Sequence, residues 1–208
     1  MYHVYAFATP NSVRVPIMLE ELGLPYELHS VNVRQGEQHG EAFLALNPNG
    51  KVPVLHNPDT NFTLTESAAI VTHLAEEHER FLPAAGEDRA RVFEQLFFQA
   101  SGIGPALGNS GWFQRSASEQ IPLAISRFDT EANRTLRVLD GILAKRAYTA
   151  GDAYTIADMV HFGWLWRRAF ANIDFSATPN VERWYESVVG RPAVQRAIER
   201  VEALIPSA

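Results

Sequence analysis

The sequence predicts two domains of different class, a mixed α/β domain over residues 1–83 and an all-α domain over residues 88–208. Three observations predict this division. Short apolar runs of strand length flank a helical pattern early in the chain, a stretch with proline and glycine at 81–87 interrupts the helical pattern, and only helical periodicity follows. With 208 residues and 46% hydrophobic content, the chain is long enough to form two small hydrophobic cores.

The composition argues against several classes of partner. A net charge of −6 and a pI near 5.6 provide no basic surface for nucleic acid or for an anionic membrane. No apolar run approaches the roughly 18 residues that a membrane span needs. Because the opening residues Met-Tyr-His lack the basic and apolar regions of a signal peptide, we expect a cytoplasmic protein.

The chain contains no cysteine, which excludes disulfides, thiolate metal sites and a cysteine nucleophile. Any thiol chemistry must therefore come from a bound substrate. The seven histidines show no ligand spacing along the chain, since His73 and His78 are five residues apart and do not share a helix face. We expect no metal.

The first predicted strand is the apolar and aromatic run at residues 2–7. A helical pattern follows as far as Leu22, and Gly23 closes it. Pro16 predicts that this helix begins late or is kinked, because proline is tolerated only in the first turn.

The second predicted strand lies at 28–33, and the helix before it makes it parallel to the first strand. Apolar segments at 52–56 and 62–64 predict a hairpin, and a helical pattern continues from 67 to 79. The predicted order is therefore βαβ followed by ββα.

Val52 and Pro53 stand at the start of the third predicted strand, where proline is tolerated because it donates no ladder hydrogen bond. The Val52 main chain is then free to bind an extended peptide, as an open strand edge does. A cis bond between the two residues costs only about 0.5–1 kcal/mol and would present both main-chain groups of Val52. The alternative is an ordinary trans turn, the commoner form of such bonds.

Thr65, Glu66 and Ser67 lead into the helical pattern and predict a helix N-terminus. Its unpaired amides favour a carboxylate, to which Ser67 adds a hydroxyl donor, and Glu66 attracts an ammonium group. An α-amino acid head carries both charges and satisfies this pair. The alternative is that Glu66 and Ser67 only cap the helix.

Together, Asn-Gly-Lys-Val-Pro-Val-Leu at 49–55 and Glu-Ser-Ala-Ala-Ile at 66–70 resemble the glutathione site of the glutathione transferases. The order of the predicted elements likewise resembles the thioredoxin fold. The resemblance implies that the Val-Pro bond is cis and that the valine main chain pairs with the cysteinyl residue of glutathione. It also implies that Glu66 and Ser67 hold the γ-glutamyl end.

The loop of residues 9–12, Thr-Pro-Asn-Ser, precedes the first helix, whose positive end stabilises a thiolate. It resembles the Thr-Pro-Asn signature of the nu class, bacterial glutathione-dependent disulfide-bond oxidoreductases. The resemblance implies that Thr9 and Asn11 surround the sulfur and are the catalytic residues. Two alternatives stay open: Asn11 and Ser12 only cap the helix, or Tyr5 contacts the sulfur, as a tyrosine near the first strand does in other classes. Tyr5 also suits core packing.

Residues 34–40 are polar and contain glycine, which predicts a surface loop. In the nu class a glutamine and a lysine reach the glycine end of glutathione, and the resemblance assigns these roles to Gln38 and Lys51. The alternative is that both are solvated loop residues.

In the second domain, Thr155 and Asp158 form a predicted capping box. Glu131 and Arg134 suit an i,i+3 ion pair. The helical periodicity predicts helices over 88–117, 121–147, 155–171, 179–190 and 192–204.

Glycines and a proline at 102–109 are costly in a helix and predict a bend or a close approach there. We therefore expect Asn109 and Phe113 to contact a second glutathione or a substrate. The run at 125–134 resembles a nu-class segment in which the residue matching Arg127 meets a second glutathione. Phe128 stands where a tyrosine is expected, which removes a hydroxyl group from that position.

Two hypotheses follow for the function. The favoured one is a glutathione transferase that acts as a glutathione-dependent disulfide-bond reductase, with weaker conjugation of electrophiles. Its co-substrate is glutathione, its other substrates are small disulfides or electrophiles, and the resemblance, which covers the whole chain, implies a homodimer. The alternative is a non-catalytic glutathione-transferase-like module for binding or regulation.

Overall fold

The computed structural model describes residues 1–206, which form two compact units. The first unit combines Met1–Arg80 with the chain from Val189 onward, and the second is Phe81–Val188. The predicted division at 1–83 and 88–208 assigns the last helix to the helical domain, whereas its packing groups it with the first unit. The domain bounds themselves stay a prediction.

The regular elements follow the predicted order of a mixed α/β part and a helical part. None of the helices in residues 1–206 is long and apolar enough to cross a membrane. In chain order the elements are β1 (Tyr2–Ala6), α1 (Arg14–Leu22), β2 (Tyr26–Ser30), α2 (Glu41–Leu46), β3 (Val54–Asn57), β4 (Phe62–Thr65), α3 (Ser67–Glu77), α4 (Gly86–Phe98), α5 (Gly104–Arg115), α6 (Pro122–Leu143), α7 (Ile156–Trp166), α8 (Pro179–Val189) and α9 (Pro192–Glu202).

The four strands form one sheet in the order β2-β1-β3-β4. β1 runs parallel to β2 and antiparallel to β3, and β3 pairs antiparallel with β4. The predicted βαβ and ββα order is therefore confirmed. Along β1, Val4 and Ala6 are fully buried in the core. On the opposite face, Tyr5 packs against a cluster that includes Phe43 of α2 and Val54 of β3.

β2 is shifted relative to its predicted range of 28–33. The strand ends at Ser30 because its partner β1 ends at Ala6, and the register pairs these two residues. Beyond it, the Asn32 side chain accepts a hydrogen bond from the Arg34 main-chain N–H at 3.1 Å and turns the chain.

α1 begins at Arg14, so the predicted late start is confirmed. Pro16 then falls in the first turn, where its missing N–H has no partner within the helix. The helix ends at Gly23, whose φ of 71° is in the left-handed region. Its N–H and that of Leu24 bond back to carbonyls of the last turn, as in a Schellman motif.

In the second unit, a π-helical segment from Gln99 to Ile103 separates α4 from α5. The predicted helix over 88–117 is thus interrupted, and the break starts three residues before the predicted stretch of 102–109. The glycines serve a close approach. A Cβ on Gly108 would lie 3.0 Å from the Trp164 ring, and one on Gly111 would overlap the Phe170 ring.

The predicted capping box at the start of α7 is confirmed. The Thr155 hydroxyl accepts from the Ala157 N–H at 3.3 Å, and the Asp158 carboxylate accepts from the Thr155 N–H at 2.9 Å. Asp158 is fully buried and also accepts from the Thr149 N–H and from the Trp184 indole, both at 2.8 Å. The cap therefore holds two neighbouring segments as well as its own helix.

Candidate functional site

The strand register places three of the predicted site segments along one edge of the sheet. Val54, the first residue of β3, pairs with Tyr5 near the end of β1 and with Thr65 at the end of β4. The segments that follow β1, precede β3 and follow β4 therefore leave the sheet at the same edge. These segments contain the loop of residues 9–12, Val52 with Pro53, and Glu66 with Ser67.

The peptide bond between Val52 and Pro53 is cis, as predicted from the resemblance. Pro53 directly precedes β3, and neither ladder of that strand includes Val52. The main-chain N–H and C=O of Val52 are therefore outside the sheet pairing. An extended peptide lying along this edge can bond to them.

Glu66 has a φ of 66° and a ψ of 106°, a conformation that is rare for a residue with a side chain. Such backbone strain costs about 1–3 kcal/mol and occurs mainly at functional sites. Glu66 is the N-cap residue of α3, yet its side chain makes no capping hydrogen bond. The alternative that Glu66 caps the helix is therefore wrong, and its exposed carboxylate can meet a cation.

Ser67 is the first residue of α3 and is almost completely buried. Its hydroxyl oxygen accepts a hydrogen bond from Nη1 of Arg14 at 3.0 Å, which connects the start of α1 to the start of α3. Since this contact uses a lone pair of the hydroxyl, the Ser67 proton remains able to donate to a carboxylate.

Arg14 is a residue of this site that the sequence analysis missed. Its side chain is 3% exposed, and burial lowers the pKa of its guanidinium to about 9, although the Glu66 carboxylate opposes this shift. Within residues 1–206, its Nε and Nη2 atoms have no hydrogen-bonding partner. Charged groups are rarely buried without partners. The available signal was an arginine between Val13 and Val15 on the buried face of the helix.

The predicted glycine-end residues belong to two loops that touch each other. Gly50 has a φ of 62°, and a Cβ there would lie 3.4 Å from the Gln38 carbonyl oxygen. The Asn47 amide donates to the Lys51 carbonyl oxygen at 2.6 Å and fixes the loop that carries Lys51. The Gln38 amide nitrogen is 3.1 Å from Nε2 of His39, whereas its buried oxygen has no partner in residues 1–206.

The loop of residues 9–12 is held by its own hydrogen bonds. The Ser12 N–H donates to the Thr9 hydroxyl at 3.1 Å, and the two hydroxyl oxygens are 2.9 Å apart. Asn11 is partly exposed, and its side chain makes no hydrogen bond within the described chain. Among residues 1–206, no side chain caps α1, so the alternative that Asn11 and Ser12 cap that helix is wrong. The Asn11 amide is available to a ligand.

Tyr5 packs on the sheet face that α2 covers. Its ring stacks on that of His29 at a centroid distance of 4.8 Å, and it adjoins the cluster of Phe43 and Val54. This environment favours a packing role for Tyr5 over contact with a sulfur.

Phe113, one of the residues predicted to contact a second glutathione or a substrate, lies in an aromatic cluster of the second unit. Its ring stacks on Phe128 at 5.3 Å and meets Trp112 edge-on at 4.8 Å. Asn109 is exposed one helical turn before Phe113, and its amide donates to the Pro105 carbonyl oxygen at 2.9 Å. Phe128 supplies a ring face where a tyrosine was expected, with no hydroxyl group.

Arg127 is the residue before Phe128, and its side chain is 67% exposed. Its Nη1 lies 3.6 Å from the Glu131 carboxylate, which also forms the predicted i,i+3 pair with Arg134 at 2.7 and 2.9 Å. A charge with that exposure is available to a second anion.

Two family models match the chain. The one described as the glutathione S-transferase N-terminal domain matches residues 8–77, and the one described as the C-terminal domain matches residues 125–192. The chain belongs to the glutathione S-transferase family. Among curated relatives, this transferase is 34% identical over 209 residues to the disulfide-bond oxidoreductase YfcG of Escherichia coli. That match covers 97% of this chain and 96% of the relative.

Solved structures agree with this assignment. A glutathione transferase homolog from Lodderomyces elongisporus, with two GSH per subunit, superposes with a TM-score of 0.91 at 32% identity, covering 96% of this chain and 98% of that one. A glutathione transferase from Pseudomonas putida, with one glutathione disulfide per subunit, gives 0.87 at 33% identity, covering 95% and 90%. The predicted fold class, a thioredoxin-like domain followed by an all-helical glutathione-transferase domain, is confirmed.

Proposed function

We propose that this glutathione S-transferase binds glutathione along the sheet edge described above and uses it to reduce disulfide bonds, with weaker conjugation of electrophiles. The observation that carries the proposal is the buried contact between Arg14 and Ser67 beside the strained Glu66. This arrangement places a hydroxyl donor, a cation and an exposed carboxylate at one helix N-terminus. An α-amino acid head needs that combination of charges.

Glutathione would lie with its γ-glutamyl end at Glu66 and Ser67. The free main-chain groups of Val52, next to Pro53, would pair with the cysteinyl residue. Gln38 and Lys51, at the other end of this edge, would hold the glycine carboxylate.

The thiol of the bound glutathione would lie beside Thr9 and Asn11. A thiol with a pKa near 8.5 is mostly protonated at neutral pH, and lowering it by two units requires about 2.7 kcal/mol of preferential interaction with the thiolate. The unengaged Asn11 amide supplies one donor. The Thr9 hydroxyl, which donates to the Ser12 hydroxyl at 2.9 Å, supplies a second donor when it turns its proton toward the sulfur.

A second glutathione, or the disulfide to be reduced, would contact Asn109, Phe113 and Arg127. The ring face of Phe113 and the exposed charge of Arg127 suit an apolar disulfide and a carboxylate, respectively. The two GSH per subunit in the Lodderomyces elongisporus homolog support a site of this kind.

The proposed reaction proceeds by two thiol–disulfide exchanges. The first glutathione thiolate attacks one sulfur of the disulfide, forms a mixed disulfide and releases one substrate thiolate. A second glutathione thiolate then attacks the mixed disulfide at its glutathione sulfur, which yields glutathione disulfide and releases the other substrate thiolate. The chain has no cysteine, so no step passes through a covalent bond to the protein.

The test is glutathione-dependent reduction of hydroxyethyl disulfide. We expect catalysis that survives pretreatment of the protein with iodoacetamide, followed by removal of the reagent, because no protein thiol takes part. A reduction rate equal to the uncatalysed one, with rapid conjugation of an aryl halide, would contradict the reductase proposal and leave a conjugating transferase. Failure of both activities would favour the non-catalytic module. The curated relatives named disulfide-bond oxidoreductases support the enzyme.

Substitutions at the sulfur distinguish the catalytic candidates. Asn11→Ala and Thr9→Ala should lower turnover more than they lower glutathione affinity. Both side chains are proposed to contact the sulfur of glutathione and neither contacts its γ-glutamyl or glycine end. Tyr5→Phe is the matched control and should retain turnover. Loss of activity in Tyr5→Phe, with normal activity in both loop variants, would place the sulfur against Tyr5.

We further propose a homodimer and a cytoplasmic location. The cytoplasm keeps glutathione reduced, as the proposed reaction requires. The dimer is supported by Phe97 of α4, whose side chain is 68% exposed although phenylalanine is usually buried.

A further inference from the structure

We propose that the sheet face carrying Tyr5 also holds a binding site for a divalent transition metal such as Zn²⁺, formed by His3, Glu27 and His29. These three residues lie on the two neighbouring parallel strands β1 and β2. One ligand atom from each lies within 4.8 Å of the others. Two imidazoles and a carboxylate are a donor set that zinc commonly accepts, with water at the fourth position.

The parallel register brings these donors together. His3 pairs directly with Glu27, and Tyr5 pairs with His29, so the histidines are neighbours on one face although they are 26 residues apart in the chain. Strand pairing creates this cluster, so no spacing of histidines along the chain indicates it, and the expectation of no metal from that spacing does not apply here.

The distances between donor atoms are near those of a tetrahedral site. His3 Nδ1 and His29 Nε2 are 2.7 Å apart. His3 Nδ1 lies 3.9 Å from Oε2 of Glu27, and His29 Nε2 lies 3.9 Å from its other oxygen, Oε1. Ligand bonds of about 2.0–2.1 Å separate two donors of a tetrahedral zinc by about 3.3 Å. Opening the histidine pair by about 0.6 Å, and turning Glu27 so that one of its oxygens comes within about 3.3 Å of both nitrogens from the present 4.8 Å spread of donor atoms, meets that geometry. The broad χ2 torsion of histidine permits this adjustment.

Neighbouring rings hold the two imidazoles in place. The Tyr5 ring stacks on His29 at 4.8 Å, and the His56 ring meets His3 at an angle of 63° with a centroid distance of 6.3 Å. The side chains of His3 and His29 are only 27% and 30% exposed. Such packing restricts the rotamers that a ligand set must otherwise order on binding, which favours affinity.

The contact between His3 and His29 shows how a proton would compete with the metal. One nitrogen of the 2.7 Å contact donates and the other accepts, so at least one proton lies between His3 and His29 in the metal-free protein. The metal must displace that proton, because only a neutral imidazole nitrogen ligates.

The experiment is calorimetric titration of the full chain with zinc sulfate, after removal of any histidine tag and in the absence of glutathione, which itself binds zinc. We expect saturable binding of one zinc per chain. His3→Phe, His29→Phe and Glu27→Gln should each weaken binding by about tenfold or more. The phenylalanine variants keep a ring in each stack, and the glutamine variants at the two histidines replace them if a variant does not fold by circular dichroism.

His73→Gln is the matched control. His73 forms an exposed pair with Glu77 at 3.6 Å on α3, so it offers one imidazole and one carboxylate without a third donor in the described cluster. This variant should bind zinc as the unaltered chain does. Absence of saturable binding, or unchanged affinity in any of the three site variants, would overturn the proposed site.

Discussion

At the scale of single residues, Arg14 carries the most information about the site. It is a cation on a helix face that otherwise buries apolar side chains, and it keeps its charge at neutral pH because its pKa, though lowered by burial, is about 9. Burying a charge with incomplete partners destabilises a fold. An anionic ligand beside Ser67 would offset part of that cost, so a buried arginine at this position favours a site for an anion.

Arg14→Met tests this interpretation. We expect glutathione affinity to fall by about 1–3 kcal/mol, the range for loss of a hydrogen bond to a charged group, while the melting temperature holds or rises because a buried cation is gone. Ser67→Ala should lose a similar amount. The double variant should lose less than the sum, since the two residues form one unit.

Calorimetry with glutathione measures these losses, and Arg137→Met, at an exposed position of α6, is the control for loss of an arginine. An Arg14→Met protein that binds glutathione normally but melts at a lower temperature would make Arg14 a purely structural residue.

At the scale of elements, the cap of α7 has a larger role than its sequence motif indicates. The sequence predicts only a capping box, and loss of such a cap costs about 1 kcal/mol. In the structure, Asp158 also accepts from Thr149 and Trp184 in a fully buried position. Removing it therefore leaves several buried donors without a partner.

Asp158→Ala should lower the free energy of unfolding by about 3–5 kcal/mol, because several buried neutral donors are left unpaired at about 1–3 kcal/mol each. Thr155→Ala should lower it by about 1 kcal/mol. Neither change should alter glutathione affinity of the folded protein, because both residues are in the second unit. Urea titration and calorimetry give the two quantities. Equal losses of stability in the two variants would mean that the contacts with Thr149 and Trp184 add nothing to the cap.

The packing of α9 on α1 in the first unit includes hydrogen bonds to the carboxylate of Glu20. Glu20 accepts from Arg196 at 2.7 Å, from Tyr26 at 2.9 Å and from Arg200 at 3.3 Å. Burial opposes ionisation of Glu20, but these three donors outweigh it and lower its pKa. A carboxylate with a lowered pKa stabilises the fold above its ordinary pKa and loses that contribution as pH falls through the lowered value.

Comparison of Glu20→Gln with the unaltered chain tests this pH dependence. At neutral pH the variant should melt at a lower temperature, with a free-energy loss of about 1–3 kcal/mol for weakened bonds to a charged group. The difference should narrow below about pH 4.5, because the unaltered carboxylate is then becoming protonated as well. Scanning calorimetry from pH 7 to pH 3.5 measures it, and a difference that stays constant across this range would contradict the role of the Glu20 charge.

At the scale of the whole molecule, the parts predicted from the sequence are those that depend on local patterns. Helical periodicity, the hairpin and the capping box at Thr155 depend on neighbouring residues. The motifs that contain Val52-Pro53 and Glu66-Ser67 are short as well, and they indicated the family. The missed parts depend on pairing between distant segments. Strand register joins His3 to His29, and the meeting of two helix ends joins Arg14 to Ser67, and neither relation is visible in spacing along the chain.

The homodimer is the last prediction at this scale. Phe97 of α4 is 68% exposed, and the one ring in contact with it is Phe93, at a centroid distance of 6.4 Å within the described residues. Exposed aromatic surface of this kind is typical of protein interfaces. The chain should therefore sediment at micromolar concentration with twice its mass of 23.2 kDa.

Phe97→Glu should shift the protein to a single chain's mass, because a dimer would then bury an unpaired charge. Leu123→Glu is the matched control, since Leu123 is also an exposed apolar residue, on α6, with 82% of its surface accessible. A dimer that survives Phe97→Glu but dissociates in Leu123→Glu would place the contact on α6. Sedimentation of the unaltered protein at one chain's mass would rule out the homodimer at that concentration, and the exposed Phe97 would then need another partner.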